Sequence, residues 1–154
     1  MTSMKETMQS DLTVAIKARD EVSSSTLRMV LTALTNEEVS GKESKVLTDD
    51  DVLTVLGREG KKRKEAAEAY DDAQRPELAA RERAELEVIA KYLPQQMSED
   101  EVAAIVAAAV AEVSSSGATG GALMGQVMKI VQPQVKGRAD GGQVAALVKQ
   151  ALNQ

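Results

Sequence analysis

The sequence contains no cysteine and no histidine among its 154 residues. Disulfide bonds, thiol nucleophiles, Ser–His pairs and histidine-ligated metal sites each need one of these residues, so all four are excluded. A chain without cysteine fits a reducing compartment, and we expect the cytoplasm. Phe and Trp are also absent, and Tyr70 and Tyr92 are the only aromatic residues. The core is therefore expected to be aliphatic, and an aromatic platform for stacking single-stranded RNA is not expected.

Long apolar runs are missing as well. The longest weakly polar stretch covers residues 102–111, about half of the roughly 20 residues that a membrane-spanning helix needs. Near the N-terminus, Lys5, Glu6 and Asp11 stand where a secretory signal would need apolar residues. We therefore expect neither a signal peptide nor a membrane partner.

Apolar residues recur at the spacing of an α-helix along nearly the whole chain. Because no run of alternating β-branched or aromatic residues competes with this pattern, the sequence predicts an all-α protein. Pro94 is expected to end the fourth helix and Pro133 to end the sixth. Caps and breakers divide the pattern into seven helices, at about residues 3–19, 21–39, 48–72, 76–93, 98–113, 122–132 and 140–152.

The clearest domain boundary follows the fourth predicted helix. Pro94 stops that helix, and Ser98 with Glu101 forms a capping box that starts the next one. This boundary predicts an N-terminal four-helix domain at residues 1–96 and a C-terminal three-helix domain at residues 97–154. A domain of about 60 residues buries only a marginal core. We therefore expect the smaller domain either to be stabilised by the larger one or to have a function of its own.

Several short motifs of this chain resemble those of the GatB/YqeY family. They are Tyr92-Leu-Pro94, Ser98-Glu-Asp-Glu101, Leu123-Met-Gly-Gln-Val-Met-Lys129 and Val135-Lys-Gly-Arg-Ala-Asp-Gly141, with Ser25-Thr-Leu-Arg28, Asn36-Glu-Glu38, Arg58 and Lys62-Arg63 nearer the start. The two motifs that contain Lys129 and Lys136 are the most specific, and the resemblance covers essentially the whole chain. It implies a free-standing YqeY-like protein in which a four-helix bundle precedes a three-helix bundle.

The resemblance also implies a function. In the related GatB subunit, the same unit is the tail of a tRNA-dependent amidotransferase and contacts tRNA. RNA binding is therefore implied here, with tRNA as the ligand and amidotransferase or aminoacyl-tRNA machinery as further partners. The catalytic portion of GatB has no counterpart in this chain, and no nucleophile is paired with a general base. We expect no catalysis by this chain alone, and no cofactor or metal.

The main candidate residues lie near the C-terminus. From Val113 onward the chain has four cations and one acid, whereas residues 1–112 carry 15 cations and 23 acids. Lysine and arginine supply most of the sequence-independent affinity for phosphates, and the start of a helix also favours an anion. The alternative is that these residues form caps and turns with a few solubilising charges. The candidate RNA-binding residues are Lys129, Lys136, Gly137, Arg138 and Lys149.

A second basic cluster, residues 58–64, holds five cations in seven positions. Arg58, Lys62 and Arg63 are the candidates here for a tRNA-facing surface. The alternative, which the sequence favours, is a solvated helix face paired with nearby acids such as Glu65 and Glu68. Two glycines inside the same helix are each expected to cost up to about 1 kcal/mol relative to Ala.

Two functional hypotheses follow from these observations. The first is a non-catalytic tRNA-binding protein. The second is an accessory subunit of an amidotransferase-type complex, a carbon–nitrogen ligase that uses glutamine as amido donor, acting through protein contacts. Salt separates them, because phosphate contacts predict an affinity that falls steeply with salt concentration and an apolar protein interface does not.

Overall fold

The computed structural model describes residues 2–153, and the regular structure in this range is helical throughout. It contains seven α-helices and a short 3-10 turn at Ser114–Ser116, with no β-strand among the described residues. The all-α prediction is confirmed. The helices are α1 (Met4–Lys17), α2 (Glu21–Glu38), α3 (Asp49–Asp72), α4 (Pro76–Ala90), α5 (Glu99–Val113), α6 (Gly120–Val135) and α7 (Gly141–Leu152).

Capping side chains explain where several helices begin. Ser3, Thr48 and Ser98 each accept a hydrogen bond from the backbone N–H three residues later, and the acid at that later position bonds back to the cap. Such a reciprocal pair satisfies two of the amide groups that a helix start leaves without partners. Pro76 occupies the first position of α4, where its missing N–H costs nothing.

The fourth helix ends earlier than the sequence predicts. It stops at Ala90. The next residues form hydrogen bonds that span three positions instead of the four of an α-helix, from Tyr92 N–H to the Ile89 carbonyl and from Leu93 N–H to the Ala90 carbonyl. The residue before a proline is displaced from the helical conformation. Pro94 also has no N–H to donate to the Ala90 carbonyl four residues earlier, so the helical hydrogen-bond pattern stops before it.

The sixth helix extends further than the sequence predicts. Pro133 lies inside α6, which continues to Val135 rather than ending at Gln132. A proline removes the hydrogen bond to the carbonyl four residues earlier, here that of Lys129. Lys129 and Pro133 are both exposed, so solvent can satisfy that carbonyl, and only one helical turn follows the defect.

The chain divides into two compact units between Pro94 and Gln95, two residues before the boundary expected from the sequence. The first unit contains α1 to α4, with its most extensive packing between α3 and α4 and between α1 and α2. Its core is aliphatic apart from the methionine, as the composition predicts. The buried core residues are Met8, Leu27, Val30, Leu34, Val52, Val55, Leu56, Val88 and Ile89.

The two glycines of α3 do not break the helix, and they differ in their surroundings. Gly60 is buried, and a Cβ atom at this position would lie 3.4 Å from Cδ1 of Leu86 on α4. Gly57 faces open space, with no atom within 4 Å of the corresponding Cβ position. Gly60 therefore contributes to the close approach of α3 and α4, whereas Gly57 has no packing role.

The second unit contains α5, α6 and α7, which all pack against one another. Its nine buried core residues are eight valines and Ala109. The valines are Val102, Val106, Val113, Val127, Val131, Val135, Val144 and Val148. Within the described residues, no helix is both long and apolar enough to cross a membrane.

Candidate functional site

The predicted lysines of the second unit are all on its surface. Lys129 lies on α6, Lys149 lies in the last turn of α7, and Lys136 is the residue that closes the C-terminal end of α6. All three are exposed, while neighbouring valines such as Val127, Val135 and Val148 are buried. The helices therefore direct the apolar residues inward and leave the lysines on the solvent side.

Gly137 forms the turn that leaves α6. Its φ angle is +73°, in the left-handed region that favours glycine. The turn is closed by a hydrogen bond of 2.8 Å from the Arg138 N–H to the Val135 carbonyl. Any side chain at Gly137 would strain this backbone, so the residue has a structural role in placing Lys136 and Arg138.

Arg138 holds the segment that precedes α5. Its Nε–H donates to the Gln95 carbonyl at 3.0 Å, and its own carbonyl accepts from the Met97 N–H at 2.8 Å. The Gly137 carbonyl accepts from Nε2 of Gln96 at 2.9 Å. These three bonds join residues 95–97 to the turn between α6 and α7, a connection that the sequence does not predict. A glycine after a helix signals a turn, but no local pattern names a partner some 40 positions away.

Asp140 stands at the N-cap of α7, the position expected from the sequence. Its side chain, however, does not form the capping hydrogen bond to the first turn of the helix. The helix begins with Gly141 and Gly142, both exposed. Lys136, Gly137 and Arg138 are consecutive residues of this turn, whereas Lys129 and Lys149 lie further along α6 and α7.

The second basic cluster belongs to the first unit and is ion-paired. Nη2 of Arg58 lies 3.0 Å from Oε2 of Glu37, and Nζ of Lys62 lies 3.7 Å from Oε1 of Glu59. Both cations remain more than half exposed. They fit the solvated, ion-paired face that the sequence favoured, although these acids are not the ones expected.

Arg63 departs from the solvated face. Its side chain is only 8% exposed, with Nη1 at 3.0 Å from Oε2 of Glu59 and Nε at 3.2 Å from Oε2 of Glu85. Glu85 also pairs with Arg81 at 3.2 Å, and Arg81 donates to Oγ of Ser25 at 3.0 Å. This network links α2, α3 and α4. The guanidinium group of Arg63 is therefore paired with acids inside the unit and does not face a ligand in this structure.

The first unit also has an open groove of about 400 Å³ between α3 and α4. Its lining combines the cations Lys64 and Arg83 with the acids Glu68 and Glu87, so it offers no concentration of one charge. Arg83 is hydrogen-bonded to Asp71, which lowers the pKa of that carboxyl group. Among the described residues, no three acids gather in a way that could hold a metal ion.

These features define a class of all-helical protein with two compact units, in which the second unit has exposed lysines and a glycine turn flanked by Lys136 and Arg138. Comparison with known families agrees with the YqeY-like motifs of the sequence. The chain belongs to the YqeY-like family, whose model, described as Yqey-like protein, matches residues 5–152.

Fungal relatives are also similar to this chain. Protein C22F3.15 of Schizosaccharomyces pombe, whose name calls it uncharacterized, is 34% identical over 97 residues, covering 62% of this chain and 76% of its own. Altered inheritance of mitochondria protein 41, mitochondrial, from Pyrenophora tritici-repentis is 25% identical over 134 residues, or 86% of this chain and 71% of its own. The protein of the same name from Clavispora lusitaniae is 29% identical over 91 residues, or 59% of this chain and 52% of its own.

Proposed function

We propose that this YqeY-like protein binds tRNA through its second unit and performs no chemistry on its own. The observation that carries the proposal is the surface position of the second unit's lysines, together with the glycine turn that Lys136 and Arg138 flank. Lys129, Lys136 and Lys149 are on the surface, and Arg138 stands next to the glycine. Contacts of this kind neutralise phosphates and release counterions, which gives affinity without reading the base sequence.

The resemblance to the GatB tail supports the same proposal. In that family the tail contacts tRNA, and we extend to this chain its arrangement of a four-helix bundle followed by a three-helix bundle. RNA would be recognised by shape and backbone, since neither Tyr70 nor Tyr92 lies in the second unit.

The proposed contacts lie mainly in the second unit. Lys129, Lys136, Arg138 and Lys149 would face phosphates, with Gly137 shaping the turn. In the first unit, Arg58 and Lys62 are exposed and would add to the charge available to RNA, at the cost of weakening their acid pairs. Arg63 supports that unit from inside rather than as a contact, because it is buried between two glutamates.

Filter binding of the full chain to total tRNA, at low and at moderate salt, tests the proposal. We expect micromolar or tighter, salt-sensitive binding that weakens in the double variant Lys136→Ala/Arg138→Ala. The matched control is Lys42→Ala/Lys45→Ala, which removes two exposed cations from the loop between α2 and α3. Absence of binding by the wild-type chain at low salt would contradict autonomous tRNA binding.

A second candidate is an accessory subunit of an amidotransferase-type complex that acts through protein contacts. Its contacts would cover exposed apolar side chains of the first unit, where Val14 is 64% exposed, Val39 59% and Val46 92%. Co-purification that resists high salt would support this candidate over RNA binding.

We also propose that the protein works in the cytoplasm, because a chain without cysteine fits a reducing compartment. The names of the Pyrenophora and Clavispora relatives refer instead to mitochondria. Imaging a tagged full chain in its native cell is the test. Signal confined to an organelle would contradict the cytoplasmic proposal.

A further inference from the structure

The guanidinium group of Arg138 is oriented by a bond on one of its edges. Nε–H points at the Gln95 carbonyl at 3.0 Å, which fixes the plane of the group. The two terminal nitrogens, Nη1 and Nη2, have no hydrogen-bond partner among residues 2–153. Because the residue is only partly buried, this second edge is within reach of a ligand in solvent.

An arginine edge with two terminal amino groups has a specific chemical preference. Its parallel N–H donors match the two non-bridging oxygens of a phosphate group, and the interaction is stronger than that of a point charge. An edge that is already held in one orientation loses less freedom when it binds. Lysine could supply the charge and bond both groups, but its ammonium group has no fixed plane and could not pair two parallel donors with two phosphate oxygens.

We propose that Arg138 couples RNA binding to the order of residues 95–97, with Nε–H holding the Gln95 carbonyl while the Nη edge binds a phosphodiester of RNA. The inference rests on the proposed function, since it assigns a role within the same turn. A bound phosphate restrains the guanidinium group, and the restrained group holds Gln95 more firmly. By reciprocity, an ordered segment 95–97 raises the affinity for RNA.

The structure provides a direct reporter of this coupling. The Met97 amide donates to the Arg138 carbonyl at 2.8 Å, so its hydrogen exchange measures how often the segment opens. On the full chain, we expect total tRNA to slow exchange at Met97 several-fold. The Val52 amide, which donates to Thr48 in the first unit, is the control and is expected to be unaffected.

A charge-conserving variant separates coupling from simple attraction. Arg138→Lys keeps the charge, so the slope of log affinity against log salt should stay unchanged, while affinity for tRNA falls about tenfold. The variant should also lose the tRNA-dependent protection at Met97. Arg75→Lys, the same change at an exposed ion pair of the first unit, is the matched control and should bind as the wild type does.

The outcomes distinguish this inference from the proposed function. Absence of tRNA binding by the wild-type chain overturns the proposed function and this role with it. Wild-type binding combined with full affinity in Arg138→Lys, or with unchanged exchange at Met97, overturns the coupling alone. If Arg138→Lys fails to fold, the exchange of the wild-type Met97 amide with and without tRNA decides the matter.

Discussion

The phenolic hydroxyl of Tyr92 donates a hydrogen bond of 2.6 Å to Oδ2 of Asp11, 81 positions earlier in the chain. Tyr92 follows the end of α4 and packs partly against the core of the first unit, while Asp11 lies on α1. Desolvation of the phenol, together with the bond to the carboxylate, raises the pKa of Tyr92. The bond thus ties the last residues of the first unit back to its first helix.

The stability of the first unit should decrease at alkaline pH because of this bond. A folded-state pKa above the ordinary value of 10.0 means that the contribution is fully present below pH 10. It is lost as the pH rises through the folded-state pKa, because the unfolded chain releases the proton first. Urea unfolding at pH 9 and pH 11 should show a larger loss in the wild type than in Tyr92→Phe.

The same variant should be less stable at neutral pH by about 1.5–3 kcal/mol, the usual contribution of a hydrogen bond to a charged acceptor. Tyr70→Phe is a useful companion, because it leaves Tyr92 as the only phenol in the chain. The absorbance of the Tyr70→Phe variant at 295 nm should then report the ionisation of Tyr92 alone, and the midpoint of that titration should lie above pH 10. A midpoint at or below that value would contradict the bond between Tyr92 and Asp11.

The two glycines of α3 should respond in opposite directions to substitution. Gly57→Ala should raise the free energy of unfolding by about 0.5–1 kcal/mol, because the site is helical and open. Gly60→Val should lower it by about 1–3 kcal/mol, because the added Cβ would lie 3.4 Å from Cδ1 of Leu86 and the two methyl groups beyond it would need further space. Chemical denaturation of both variants checks the pair. Equal effects would mean that the packing of α3 on α4 differs from that described.

Removing the buried arginine should be costly. Arg63→Ala leaves Glu59 without its 3.0 Å partner and leaves the buried Glu85 with Arg81 alone. We expect a loss of about 3 kcal/mol or more in unfolding free energy. Arg58→Ala removes an exposed pair and should change stability by about 0.5 kcal/mol at most. Thermal unfolding of the two variants under identical conditions makes the comparison, and similar melting temperatures would argue against the buried network.

Single lysine variants of the second unit should change the salt dependence of RNA binding. If Lys129 and Lys149 each neutralise one phosphate, replacing either with Ala should reduce the slope of log affinity against log salt by about 0.7–0.9. Melting temperature should be unaffected, since both side chains are exposed. Titrations at four salt concentrations measure the slope. A slope equal to that of the wild type would show that the substituted lysine does not contact a phosphate.

Local sequence signals predicted the helices well because their causes are local. The Ser98 capping box and Pro76 at a first helical position act over three or four residues, and both occur in the structure. Pro133 was misjudged because the cost of a proline depends on whether the lost hydrogen bond can be replaced by solvent. That depends on the exposure of Lys129 and Pro133, which follows from the packing of α6 rather than from the local sequence.

The roles of individual charges were harder to predict for the same reason. Arg63 and Lys62 are adjacent, but a rotation of about 100° between successive helical positions buries the first and exposes the second. The hydrogen bond of Arg138 to Gln95 joins residues 43 positions apart, and no periodicity reports such a contact. Composition located the basic region of the chain, whereas only the packed structure separates its surface cations from those used internally.

The valine core of the second unit has a consequence for its mobility. A helical valine is held in a single χ1 rotamer in most cases, so eight buried valines leave few alternative ways to fill the same space. At the fully buried positions valine therefore favours one packing arrangement, and the longer side chains, such as Met124 and Leu147, pack around it in partly buried positions. Selective labelling of valine methyl groups would place NMR reporters throughout this core. Sharp, well-dispersed resonances would show that the core adopts a single packed conformation.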